Sequence, residues 1–138
     1  MVGHAHGMML PFFRGAAFSI TSGQADVATS ETTTSTTYVD LATVGPSVTL
    51  SPGSAVDQII SIGCRLTNTT AGVQVRISVS IAGAAAADAD SMMGSGDGNN
   101  LTKAVFLTRA ASVANGSTHT CKYQVGGNTG TFVERRIL

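Results

Sequence analysis

From Val73 to Ile81 every second side chain is apolar: Val73, Val75, Ile77, Val79 and Ile81 alternate with Gln74, Arg76, Ser78 and Ser80. Successive side chains of a strand point to opposite faces, so this run predicts a strand with one face in a core. A slip of one residue would expose five β-branched side chains, which fixes the register of its pairing. The segment from Asp57 to Thr67 alternates in the same way, with Ile60, Ile62, Cys64 and Leu66 on one face and Ser61, Gly63, Arg65 and Thr67 on the other. Further strands are expected at Ala16 to Thr21, Thr34 to Leu41, Ser47 to Leu50, Leu101 to Ala110, Thr118 to Val125 and Thr131 to Leu138. Turn chemistry separates them: Ser22-Gly23, Gly45-Pro46, Pro52-Gly53, the stretch Asn68 to Gly72, Asn115-Gly116-Ser117 and Gly126-Gly127-Asn128.

Two segments depart from this rhythm. Glu31 to Pro52 holds seven threonines, and its only charges are Glu31 and Asp40. Threonine and valine are stiff at χ1 and suit a pleated, half-buried surface. The segment therefore reads as strand, Gly-Pro turn, strand: the first hairpin of a sandwich. Between Gly83 and Asn100, AAAADADSMM has the length for one or two helical turns, whereas GSGDGNN suits no regular element. The expectation is an all-β, antiparallel β-sandwich of about eight strands, jelly-roll or Ig-like, over residues 16–138. An extended N-terminal arm, residues 1–15, precedes it. A chain of 138 residues is long enough to bury one such core.

Composition then narrows the function. Charged residues make up 12% of the chain, and eight basic residues cancel eight acidic ones. Nucleic acids and anionic membranes select clustered Lys and Arg, so neither partner is expected. Weak charge also means weak repulsion between copies, which favours a subunit packed among others over an isolated monomer. The beginning of the chain lacks the basic n-region of a secretory signal, its apolar stretch is broken by Pro11, and no window has the ~18 apolar residues of a membrane span. Use without export is the expectation.

Little in the chain speaks of catalysis. His4, His6 and His119 stand in no recognised nucleophile arrangement, and Ser95 lacks the Gly-x-Ser-x-Gly spacing of an elbow. Gly94, Gly96 and Gly98 are followed by neither a helix nor Lys-Ser/Thr, so they are not read as a phosphate loop. Asp88, Asp90 and Asp97 fail the EF-hand pattern because Met92 occupies a ligand position, and they read as loop carboxylates. Cys64 and Cys121 fall in separate strands and read as small buried side chains, although a cross-strand disulfide fits the spacing. His4-Ala5-His6 reads as a polar start to the arm rather than a metal site shared about a three-fold axis. Catalytic residues, metals and cofactors are all expected to be absent.

The apolar cluster Met8, Met9, Leu10, Phe12 and Phe13 is the candidate docking element, because left uncovered it would promote aggregation. Arg135 and Arg136 are adjacent and so face opposite sides of their strand. At least one is expected to pair with a carboxylate, with Asp40, Asp57 and Glu134 as candidates, or to lie at an interface. Asn68, Asn100 and Asn115 open Asn-x-Ser/Thr triplets and are read as loop residues.

The order TSTTYVDLATVGPSVTL, ISVSIAGA, SVANGSTHTCKYQV and GTFVERRIL resembles a recurring small virion domain of tailed bacteriophages. The likeness covers roughly residues 30 to 138. In that type a Tyr-x-Asp-Leu strand leads through Gly-Pro into a Val-Thr-rich strand, and a late Gly-Ser-x-His-Thr hairpin pairs with a final strand ending in Arg-Arg-hydrophobic. The resemblance implies a non-enzymatic structural protein of the virion, assembled in the bacterial cytoplasm and often trimeric. Its partners would be the major capsid protein or other virion proteins, and a capsid decoration (cement) role on the viral capsid surface suits one domain without fibre repeats. The alternative is a tail-tip or tail-fibre protein that binds a host-surface glycan. The low aromatic content, 5% with no tryptophan, weighs against that alternative.

Overall fold

The computed structural model describes residues 20–98 and 101–138. Nine strands form among them: β1 (Ala25–Val27), β2 (Glu31–Thr33), β3 (Ser47–Leu50), β4 (Val56–Asn68), β5 (Gln74–Ser80), β6 (Ser91–Ser95), β7 (Thr102–Val113), β8 (Ser117–Val125) and β9 (Gly130–Ile137). They make two antiparallel sheets packed face to face. The first has the order β1-β9-β4-β7, with β2 also on β9, and the second has the order β3-β8-β5-β6. The architecture is the expected all-β sandwich.

The alternation read from the sequence fills the space between the sheets. Ile60, Ile62, Cys64 and Leu66 of β4 face Val75, Ile77 and Val79 of β5 and Cys121, Tyr123 and Val125 of β8, all buried. Tyr123 meets Phe132 of β9 edge-on, with ring centroids 4.9 Å apart, an arrangement that contributes about 0.5–1.5 kcal/mol beyond burial. The Tyr123 hydroxyl donates to the Gly45 carbonyl at 2.8 Å, so the buried ring keeps its polar end satisfied. Ser78 and Ser80, on the opposite face of β5, are buried as well. Residues 84–90 lie over them: Ser78 Oγ donates to the carbonyls of Ala87 and Asp90, and Ser80 Oγ to that of Ala84.

Several sequence expectations need correction. The Glu31 to Pro52 run is not a hairpin: β2 pairs with β9 in one sheet and β3 pairs with β8 in the other. The chain between them runs alongside β8: the Val125 amide donates to the Ser35 carbonyl, Val39 and Tyr123 form an isolated bridge, and the Cys121 amide donates to the Pro46 carbonyl just before β3 begins. The late strands behave alike, since β8 and β9 lie in opposite sheets rather than pairing with each other. Among its described residues the excursion after Gly83 contains a short 3-10 turn at Asp88–Asp90, then a strand, β6, that includes Gly94 and ends just before Gly96. Gly94 and Gly96 are small because β6 passes closely over β4: a Cβ at 96 would lie 2.8 Å from the Asn68 amide nitrogen and 2.9 Å from its Cα. Ile20 and Thr21 are not in a strand, and the rest of the first expected strand lies outside the described residues.

Strand β9 changes phase partway along. Its register against β4 shifts between Gly63 and Arg65, and Glu134 sits at φ 50°. The extra residue makes a β-bulge, so Phe132, Arg135 and Ile137 point inward, in place of an unbroken every-other pattern. Arg135 is thereby fully buried while Arg136 is exposed. Their partners are Glu31, 3.0 Å from Arg135 Nη2, and Asp26, 2.5 Å from Arg136 Nε. The three carboxylates expected from the sequence are engaged elsewhere: Asp40 by Lys122, Asp57 by Arg109 and Glu134 by Arg65.

Candidate interaction surfaces

The first surface is the outer face of the β9-β4-β7 sheet. Ile59 and Ser61 of β4 share it with Val105 and Leu107 of β7, since Leu107 lies opposite Ser61 and Val105 opposite Gly63. Leu138 joins them by pairing with Ser61 on the other side. Ile59 is 73% exposed, Val105 69%, Leu107 62% and Leu138 48%. Ser61 and Gly63 between them are small, so the patch is flat. Ion pairs rim it, Arg109 with Asp57 and Arg65 with Glu134. Large side chains outside a core usually occur singly, and a contiguous apolar group with a charged rim marks a contact site. The sequence carries this signal as Val105-Phe106-Leu107, where an apolar residue on both faces of β7 leaves one side uncovered.

The second surface is a polar cleft of about 500 Å³ on the outer side of the β8-β5 sheet, walled by Thr37, Tyr38, Lys122, Gln124 and the Gly83 to Ala86 turn. Tyr38 donates to Asp88 at 2.8 Å, and Arg76 reaches the other Asp88 oxygen at 2.6 Å. Those two bonds hold the Asp88 carboxyl below its ordinary range. Lys122 Nζ bonds both oxygens of Asp40, at 2.8 and 2.7 Å. Gln124 Nε2 donates to the Thr36 carbonyl, while its Oε1 is buried without a partner among the described residues. Most polar groups of the cleft thus satisfy one another, and Gln124 Oε1 is the acceptor left over.

The remaining candidates are occupied by structural work. His119 is buried: its Nδ1 accepts the Ala82 amide at 3.3 Å and its Nε2 lies 2.6 Å from Gln58 Oε1. The Ala82 bond fixes the tautomer, so Nε2 carries the proton and donates across the sandwich to Gln58. Burial pushes the imidazole's pKa down and keeps it neutral. Cys64 and Cys121 are free, and burial pushes both thiols up to about 12. Neither is a ready nucleophile, because the thiolate is the reactive form. Asp90 accepts the Thr108 hydroxyl at 2.9 Å, and among the described residues no three His, Cys, Asp or Glu side chains converge as metal ligands. Asn68 is a fully buried end of β4 rather than a loop residue, bonded to the Gly127 carbonyl and the Thr70 amide. Asn115 does lie in a turn, where it accepts the Gly53 amide at 2.8 Å. Asn100, His4, His6 and the docking candidates Met8, Met9, Leu10, Phe12 and Phe13 lie outside the described residues.

No family model matches the chain, and no curated protein matches it. Among solved structures it is similar to the C-terminal CBM6 of LamC, a marine laminarinase from Zobellia galactanivorans, with a TM-score of 0.40 and 11% identity over 83% of this chain and 98% of that one. It is also similar to the carbohydrate binding module CBM6cm-2 from Cellvibrio mixtus lichenase 5A in complex with cellotriose, with a TM-score of 0.37 and 16% identity over 86% and 88% of the two chains. At these values the likeness assigns this chain neither a family nor a ligand.

Proposed function

We propose that this chain is a non-catalytic structural subunit that works by packing against other proteins. The observation that carries the reading is the flat apolar patch around Val105 and Leu107, exposed on the outer face of a sheet and bounded by ion pairs. Covering one such side chain contributes about 1.5–3 kcal/mol, so a few of them suffice to seat a small domain on a larger assembly. Joined to the sequence resemblance, the proposal is a decoration protein on the head of a tailed phage, bound to the major capsid protein or to its own copies. The test is sedimentation of purified protein with undecorated particles. The protein is expected to co-sediment, and Val105→Ser with Leu107→Ser is expected to lower its affinity at least tenfold without changing its melting temperature. Equal binding by the variant, or none by the parent, would remove this reading.

The polar cleft favours a second reading, recognition of a cell-surface glycan. Tyr38 offers a ring for stacking on a sugar, and sugar hydroxyls would exchange bonds with the Lys122–Asp40 ion pair beside it. Binding of the purified protein to a glycan array, weakened at least tenfold by Tyr38→Ala, is the expected outcome. An array without any signal at micromolar protein argues against it.

A further inference from the structure

Six of the seven Lys and Arg side chains among the described residues are held in ion pairs: Arg65, Arg76, Arg109, Lys122, Arg135 and Arg136. Lys103 of β7 is the exception, and its ammonium has no partner among the described residues. It stands directly opposite Arg65 of β4, on the outer face that carries Val105 and Leu107. Like charges opposite each other on one face of a sheet repel. Glu134, the partner of Arg65, is 3.4 Å away and 55% exposed, a loose hold. The remaining residues of the chain, 1–19, 99 and 100, contain no Asp or Glu that could supply the missing anion.

Beside this pair the face has a hole. Gly63 has no side chain, and its cross-strand neighbours are Arg136 of β9 on one side and Val105 of β7 on the other. A pocket of about 350 Å³ results, floored by Gly63 and ringed by Arg65, Lys103, Arg136, Glu134 and Val105. Arg136 is paired with Asp26 and Arg65 with Glu134, so Lys103 leaves the pocket with one uncompensated positive charge. Its other wall, Val105, is 69% exposed.

We infer that the pocket receives a carboxylate of the docking protein, an Asp or Glu side chain set among apolar ones. This rests on the packing role proposed above. Lys103 lies roughly 7 Å from Val105 along the same face, so a partner that covers Val105 and Leu107 also strips water from the ammonium. Water then no longer screens Lys103 from Arg65, and a cation covered without a counter-ion is costly. A carboxylate over Gly63 removes that cost: the missing side chain lets it approach the sheet, between Lys103 and the guanidinium of Arg65. An apolar partner surface without the acid is penalised at the same place, so the pocket selects among partners as well as holding one.

Amide chemical shifts of the full chain test it, with acetyl-Leu-Glu-Leu-amide and its Gln counterpart as probes. At low salt the Glu peptide is expected to shift the Gly63, Lys103 and Val105 amides saturably and to bind at least about threefold more tightly than the Gln peptide. Lys103→Gln should abolish that preference without changing the melting temperature, since the side chain is exposed. Val105→Ser should weaken both peptides alike. Equal binding of the two peptides, weakened by Val105→Ser, overturns the carboxylate and leaves the apolar contact standing. A Glu preference that Lys103→Gln abolishes and Val105→Ser does not touch supports the pocket and removes the apolar contact instead. A preference that survives Lys103→Gln, or no shift at these amides, overturns the inference. Shifts produced there by a sulfated disaccharide and not by the Glu peptide overturn it in favour of an acidic glycan.

Discussion

Gly96→Ala is expected to destabilise the sandwich by at least about 3 kcal/mol, the upper end of what overpacking costs. The added Cβ meets the backbone of Asn68, which has no rotamer to yield. Asn68 in turn cannot retreat, because its side chain joins the Gly127 carbonyl to the Thr70 amide. Either β6 lifts from β4 or the end of β4 deforms. Gly98→Ala is the matched control: its φ of 87° disfavours alanine, but nothing lies within 4 Å of the new Cβ. That change should cost only about 1–2 kcal/mol. Urea unfolding followed by circular dichroism checks both, and a Gly96→Ala midpoint no lower than that of Gly98→Ala would refute the close approach of β6 and β4.

Glu31→Gln is expected to lower stability by about 3–5 kcal/mol, the range for breaking a buried ion pair from one side. Arg135 is fully buried, and Glu31 is its only carboxylate among the described residues, at 3.0 Å and 11% exposed. The 3.0 Å contact is electrostatic rather than a well-aligned hydrogen bond, since neither Nη2 nor Nε has a hydrogen-bond partner. Nη1 lies 3.3 Å from the Thr43 carbonyl and 3.5 Å from that of Gly45, and the guanidinium carbon sits 5.4 Å from the Tyr123 ring centroid. These dipoles leave the net charge uncompensated once the carboxylate is gone. Bonds from the Thr43 side chain, aided by Thr43's amide and Arg135, hold the Glu31 carboxyl below its ordinary range. Arg135→Met combined with Glu31→Met should recover much of the loss, since an apolar pair removes the buried charge altogether. A double-mutant cycle by denaturant midpoint reads the coupling, and additive losses would show that the pair does not act as a unit.

Much of the fold was legible where one rule acted alone. Strands β4 and β5 have one face against a core, and alternation placed Ile60, Ile62, Leu66, Val75, Ile77 and Val79 correctly. Strand β6 was missed because its inward positions are only Met92 and Gly94: close backbone approach selected Gly94, and Gly96 just past the strand, which interrupts the apolar signal. The arginine partners were missed because a bulge at Glu134 changes the phase of β9, and nothing in the residue types marks an added residue in a strand. The supposed hairpin failed for a different reason. Gly-Pro specifies a turn but not which sheet the following strand joins, and that choice rests on pairing with β8, which lies far along the chain. Of the two surfaces, the outer face was readable in Val105-Phe106-Leu107, whereas the cleft depends on Tyr38 crossing to Asp88.

Strand β9 pairs with β1, β2 and β4, and β8 links β3 to β5. The hubs of both sheets are therefore made after the strands they join. Until β9 leaves the ribosome, three strands of one sheet wait without their common neighbour, and the apolar faces of β4 and β7 have no finished sheet to lie in. Folding of such a nonlocal topology is slow. It is completed only once β8 and β9 have been made, so a newly made copy passes through a stage in which strand edges are exposed to its neighbours.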